Sequence, residues 1–268
     1  MSSSRGVTTR EGETEREAQG EWGGKTGGVG NYADVNGINL YYEIQGTGYP
    51  LILLHGGLGA GSMFGPNLPA LAKGRQVIAV DLQGHGRTAD IDRPMAFEHL
   101  AADVVGLLDH LGIERTDAFG FSLGGLTTYE LLVHHPGRLR RAVVASADHR
   151  NDRGGEVDPE RLPTEADFAA MRDAYASVAP DPTHFDAFAE KTVAMVHGAD
   201  GWTDDQLRGI EAPVLVLIGD TDFILVPNAA EAAELLPHGQ LAILPGTTHM
   251  GMTRSELLAP VVEAFLGS

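Results

Sequence analysis

The sequence predicts an α/β domain whose sheet has eight strands, mostly parallel, with helices on both faces. Three observations lead there. Short apolar, strand-like runs alternate with segments whose apolar residues recur at helical spacing. Runs such as Pro50-Leu51-Ile52-Leu53-Leu54 and Pro213-Val214-Leu215-Val216-Leu217-Ile218 are continuously apolar, as strands covered on both faces are. Finally, Gly120-Phe121-Ser122-Leu123-Gly124-Gly125 stands between a strand-like run and a helical one, and its glycines leave room for a sharp chain reversal. A length of 268 residues suits one large domain of this kind.

Residues 1–30 stand apart from that pattern. Ser2-Ser3-Ser4, the charged run from Arg10 to Glu17 and the glycines from Gly20 to Gly30 carry almost no apolar periodicity. Such a segment buries too little surface to offset its ordering entropy, so a disordered N-terminal arm is expected. It has no apolar stretch of the kind that marks a secretory signal. Gly23-Gly24-Lys25-Thr26 is not a phosphate loop: Gln19 stands where the first glycine belongs, and no strand precedes it.

The domain is expected over residues 31–268. Tyr32 to Val35, the turn Asn36-Gly37, and Ile38, Leu40, Tyr42 and Ile44 alternating with polar neighbours make a β-hairpin. Strand 50–54 leads to a helix carrying Met63, Phe64, Leu68 and Leu71, then to a fourth strand at 76–81. Leu100, Val104, Leu107, Leu108 and Leu111 repeat at helical spacing up to Gly112. Strand 116–119, a helix over 126–134 and strand 141–145 follow.

From Asp148 to Trp202 the rhythm breaks. Asn151-Asp152-Arg153-Gly154-Gly155, Pro159 and Pro163 open an insertion with two amphipathic helices. Thr164 caps the first, and Asp181-Pro182 starts the second. A small helical lid over a pocket is the expectation. The core resumes with strand 213–218, a helix over 227–236, strand 241–244 and a closing helix from Ser255 to Phe265.

Composition narrows the partners. The chain has 37 acidic residues against 19 Lys and Arg, a formal charge of −18. That field repels phosphate backbones and anionic lipid, so neither nucleic acid nor a membrane is an expected partner. No run approaches the ~18 apolar residues of a membrane span. Cysteine is absent, which excludes disulfides, thiolate metal sites and a cysteine nucleophile. No histidine pair has metal-ligand spacing, so no metal and no cofactor are expected. A cytoplasmic location is the default.

A serine hydroxyl needs a base to remove its proton, and the base needs an acid to fix its tautomer. Asp220 and Asp222 end the strand at 213–218, and His249 follows the strand at 241–244. Both positions are at carboxyl ends of strands, the edge where Ser122 stands and where parallel sheets gather ligands. Taken with His55-Gly56-Gly57 after the third strand and Asp81-Leu82-Gln83-Gly84-His85-Gly86 after the fourth, these motifs follow one order. In that order the chain resembles the α/β-hydrolase-fold serine hydrolases, of the esterase and cofactor-free haloperoxidase branch, over residues 31–268.

The resemblance implies an α/β-hydrolase fold with Ser122 as nucleophile, Asp222 as acid and His249 as base. It also implies an oxyanion hole from the backbone N–H groups of Gly57 and Leu123. Asp148, after the sixth strand, is the alternative acid, and Asp220 is expected to tie down its turn. His55 and His85 read as loop braces, His134 and His135 as helix-end residues. His149, His184 and His197 lie in the lid. Leu58, Phe121, Phe223 and Met250, beside the motif residues, and Phe185, Phe188 and Trp202 of the insertion are candidates to line the pocket. The expected reaction is hydrolysis by water of a small to medium neutral ester. The same triad serves lactonases, carbon–carbon bond hydrolases and perhydrolases, and some members of the fold act as ligand receptors. Epoxide hydrolases and haloalkane dehalogenases carry aspartate where Ser122 stands, so the serine argues against both.

Overall fold

The computed structural model describes residues 29–150 and 158–267. The expected arm up to residue 28 and the opening of the insertion at 151–155 lie outside the described residues. Eight strands form one sheet: β1 (Val29–Val35), β2 (Ile38–Gln45), β3 (Tyr49–Leu54), β4 (Arg75–Asp81), β5 (Thr116–Phe121), β6 (Leu139–Ala145), β7 (Val214–Gly219) and β8 (Gly239–Leu244). Their spatial order is β1-β2-β4-β3-β5-β6-β7-β8. β2 runs antiparallel to both of its neighbours, and all other pairs are parallel. The chain leaves β3 for β4 on one side and returns to β5 on the other. The crevice beyond the ends of β3 and β5 is therefore the switch point at which such sheets bind ligands.

The first strand starts earlier than expected, at Val29 rather than after residue 30. Gly30, read as part of the disordered arm, pairs with Glu43 in the ladder. A Cβ there would stand 2.2 Å from the Tyr41 hydroxyl oxygen, so the glycine serves close packing. At the hairpin, Asn36 and Gly37 both have positive φ, 47° and 81°, as a two-residue turn between twisted strands requires.

Helices cover both faces. α1 (Leu68–Leu71) and α8 (Leu258–Leu266) bury Leu71, Leu258, Val262 and Phe265 against one face. α2 (Phe97–His110), α3 (Leu123–His134) and α7 (Val226–Leu235) bury Leu100, Val104, Leu131 and Ala232 against the other. Several boundaries differ from the sequence reading. The helix expected across Met63 to Leu71 is a 3-10 turn at Gly61–Phe64 followed by the short α1. Pro66 intervenes, and a proline has no N–H to donate to a continuing helical ladder. α3 begins at Leu123, not 126, because Gly124 and Gly125 are helical. The closing helix starts at Leu258, after a 3-10 turn at Met252–Arg254.

The insertion contains α4 (Glu165–Ala176) and α5 (Phe185–Gly198), and the unexpected short α6 (Asp204–Arg208) follows it. Thr164 and Asp167 form a reciprocal capping box at α4, and Thr203 and Gln206 do the same at α6. α5 is latched to the core by Lys191, whose Nζ lies 2.8 Å from both carboxylate oxygens of Asp90.

Candidate active site

The site is built at the ends of β5, β7 and β8. Ser122 follows β5 with φ 52° and ψ −117°, a strained conformation for a residue with a side chain. Two glycines make that turn possible. A Cβ on Gly120 would fall 2.1 Å from the carbonyl oxygen of Gly124, and one on Gly124 would fall 2.1 Å from that of Leu54. Backbone cannot yield to such overlap, so both positions exclude side chains. The Ser122 amide donates to Ala145 O at 2.8 Å, which ties the turn to the end of β6.

His249 lies five residues beyond β8, and its Nε2 is 3.1 Å from Ser122 Oγ. Its Nδ1 is 2.9 Å from Asp222 Oδ1, in the loop after β7. With the carboxylate accepting, Nδ1 carries the proton and Nε2 accepts from the serine hydroxyl. Asp222 is 1% exposed and His249 5% exposed. The rings of Phe121 and Phe223 flank the imidazole, their centroids 5.0 and 4.1 Å from its own. Asp222 Oδ1 also accepts from Ile224 N at 3.0 Å, and Oδ2 from Ser146 Oγ at 2.6 Å.

The alternative acid does not reach the histidine. Asp148 Oδ2 accepts from Asn228 Nδ2 at 2.7 Å, and its Oδ1 accepts from Arg150 N at 3.2 Å. Asp220 Oδ1 accepts from Thr247 N at 3.3 Å, joining the loop of Asp222 to that of His249. Gly57 and Leu123 are adjacent: a Cβ on Gly57 would lie 3.8 Å from that of Leu123. Among the described residues neither of their N–H groups donates to another part of the chain. Leu58, next to Gly57, has φ 60°.

This arrangement can carry acyl transfer: a hydroxyl beside an unprotonated imidazole nitrogen, a carboxylate behind the ring, and two uncommitted amides at the turn. A family model described as the alpha/beta hydrolase fold matches residues 49–200, more than half of the chain. The chain belongs to the α/β-hydrolase family. It is 31% identical over 279 residues to a non-heme chloroperoxidase of Streptomyces lividans, covering 90% of this chain and all of the relative. To a non-heme haloperoxidase of Rhodococcus erythropolis it is 29% identical over 250 residues, covering 80% of this chain and 90% of the relative. The crystal structure of an enol-lactonase from Burkholderia xenovorans LB400 superposes with a TM-score of 0.70 at 25% identity. That match covers 89% of this chain and all of the other.

The pocket at the hydrolase's serine has a volume of about 210 Å³. Leu58, Phe121, Phe223 and Met250 line it, as does Leu123. Phe185, Phe188 and Trp202 do not, which corrects their expected placement. Phe185 and Phe188 are 4% and 0% exposed and pack against Tyr175, with Phe188 also edge-on to His85 at 4.6 Å. Trp202 lies against Phe97 and Tyr129 and donates from Nε1 to Glu130 at 3.0 Å, beside a separate cleft between the insertion, α2 and α3. Their places in the pocket are taken by Phe168 and Met171 of α4 and by Thr192, Val193, Val196 and His197 of α5. Phe168 and Met171 appear in the sequence as apolar stripe residues like the others. Nothing local marks which stripe faces the serine.

The remaining histidines divide by environment. His55 donates from Nδ1 to Gly56 O at 2.8 Å and accepts at Nε2 from Leu82 N at 3.0 Å, bracing the Gly57 loop. Burial lowers its pKa to about 4, so it stays neutral near pH 7. His85 donates to Gln83 O at 2.8 Å and is also held well below its ordinary pKa, chiefly by burial. His134 meets Glu130 one turn earlier, and His184 meets Asp90. His149 is fully buried and does not line the pocket, whereas His197 does.

Proposed function

We propose that this α/β hydrolase cleaves a carboxylic ester of a small to medium neutral substrate through an acyl-enzyme on Ser122. One observation carries the reading: Ser122 Oγ, both nitrogens of His249 and Asp222 Oδ1 form a continuous hydrogen-bonded chain, with links of 3.1 and 2.9 Å. His249 takes the serine proton as Oγ attacks the ester carbonyl, and Asp222 stabilises the imidazolium that forms. The amides of Gly57 and Leu123 hold the oxyanion, each such donor being worth about 3 kcal/mol of barrier. The imidazolium then gives its proton to the departing alcohol. Water, deprotonated by the same nitrogen, adds to the acyl carbon and releases the acid and the free serine. A neutral substrate fits the lining: among the described residues no Lys or Arg faces this pocket. The test is turnover of p-nitrophenyl acetate and butyrate by the full chain and by Ser122→Ala. The variant is expected to lose at least ~10³-fold in kcat. Comparable turnover by Ser122→Ala overturns the reading.

A second acceptor is favoured by the haloperoxidase and chloroperoxidase relatives, which match along most of both chains. Hydrogen peroxide in place of water would attack the same acyl-enzyme, giving a peroxycarboxylic acid and regenerating Ser122. Peracid formed from acetate and hydrogen peroxide, and abolished by Ser122→Ala, supports that reading. No peracid above the uncatalysed rate removes it.

A further inference from the structure

We propose that Ser146 is a positioning residue for the proton relay, its hydroxyl fixing the carboxylate of Asp222 through the oxygen that His249 does not use. The inference rests on the acyl-enzyme reading above. Ser146 follows β6 directly and is 1% exposed. It is one of four described residues other than glycine with positive φ, at 52°. Two of the others, Leu58 and Ser122, line the nucleophile's pocket. Strain of this kind persists only where the surroundings hold it. Here the Ser146 amide donates to Leu217 O at 2.8 Å, continuing the β6–β7 pairing past the strand end. The side chain is thereby aimed across β7 at Asp222, and Oγ lies 2.6 Å from Oδ2. Among the described residues Oδ2 accepts from Ser146 alone, while Oδ1 accepts from His249 and from Ile224 N.

A short hydroxyl–carboxylate bond is charge-assisted and directional, so it sets the plane of the carboxylate as well as its charge. Without it, Oδ2 is buried with no donor, and the negative charge concentrates on Oδ1 against His249. The imidazolium is then favoured. The other charged groups nearby are committed elsewhere. Arg161 donates to the carbonyls of Asp220 and Asp222 at 3.2 and 3.3 Å, and the Asp220 carboxylate accepts from Thr247. Asp148 is held by Asn228, and His197 stands across the pocket on α5.

The test compares p-nitrophenyl butyrate hydrolysis from pH 5 to 9 by the full chain, Ser146→Ala, Ser146→Gly and Ser122→Ala. Glycine tolerates the positive φ without strain, so Ser146→Gly removes the hydroxyl from a relaxed backbone. Both Ser146 variants are expected to lose about tenfold in kcat with KM within about twofold. The acid limb of kcat/KM is expected to move to higher pH in both. A purely structural serine lowers the unfolding midpoint but leaves that limb in place, and a limb superimposable on the parent's in both variants overturns the proposal. If Ser122→Ala instead keeps its turnover, the acyl-enzyme reading fails first, and the two failures are told apart.

Discussion

Asp222 and Asp148 show how position decides the role of a carboxylate. Each ends a loop after a parallel strand, and only Asp222 meets the imidazole. Replacing Asp222 by Asn leaves the shape but removes the charge and favours the wrong histidine tautomer. Steady-state ester kinetics of Asp222→Asn are expected to show kcat lower by about 10³- to 10⁴-fold. Asp148→Asn is expected to stay within about tenfold of the parent, since its carboxylate accepts from Asn228 and Arg150 N rather than from His249. Equal losses in the two variants contradict this assignment of the acid. The serine, histidine and both candidate acids could be read from motif order. Ser146 could not, because a lone serine after a strand carries no signal until its φ and its neighbour across β7 are known.

At the level of the element, the insertion separates residues that pack its helices together from residues that line the pocket. Phe188 is fully buried among Tyr175, Phe185 and His85, so Phe188→Ala is expected to cost about 3–5 kcal/mol in denaturant unfolding. Phe168 is 46% exposed and lines the pocket. Its replacement by Ala is expected to change stability by less than about 1 kcal/mol while raising KM for butyrate esters several-fold. A Phe168→Ala protein with unaltered KM across acyl lengths removes this residue from the pocket. The start of α4 was legible, as Thr164 with Asp167 shows. The docking of the helices was not, since 3.6-residue periodicity gives a stripe but leaves its partner unspecified.

Across the whole molecule, buried titratable groups set how stability responds to acid. His55 and His85 are fully buried and held below their ordinary pKa, His55 at about 4. The unfolded chain takes up these protons near pH 6.5 and the folded chain does not. Their contribution is therefore complete above that pH and is lost as pH falls below it. Asp81, raised to about 6 by burial, acts in the opposite sense: its folded form favours the proton, and acidification from 6 towards its ordinary value relieves it. Two groups oppose one, so thermal unfolding is expected at a lower temperature at pH 5 than at pH 7.5. A midpoint that rises on acidification contradicts that balance.

The sequence alone determined the family, the alternation of strands and helices, and the order in which the serine, the carboxylate and the histidine arrive. Those features are local: continuous apolar runs, a glycine-framed serine, and loop residues counted from strand ends. Long-range packing decided the rest. It turned Gly30 from disordered arm into strand, drew Phe185, Phe188 and Trp202 away from the serine, and put Phe168 and Val193 in the pocket. It also brought Ser146 against Asp222, 76 residues further along the chain. Which face of a helix meets a pocket, and which hydroxyl meets a carboxylate, is fixed by how whole elements dock on the sheet, and no short stretch of chain carries that information.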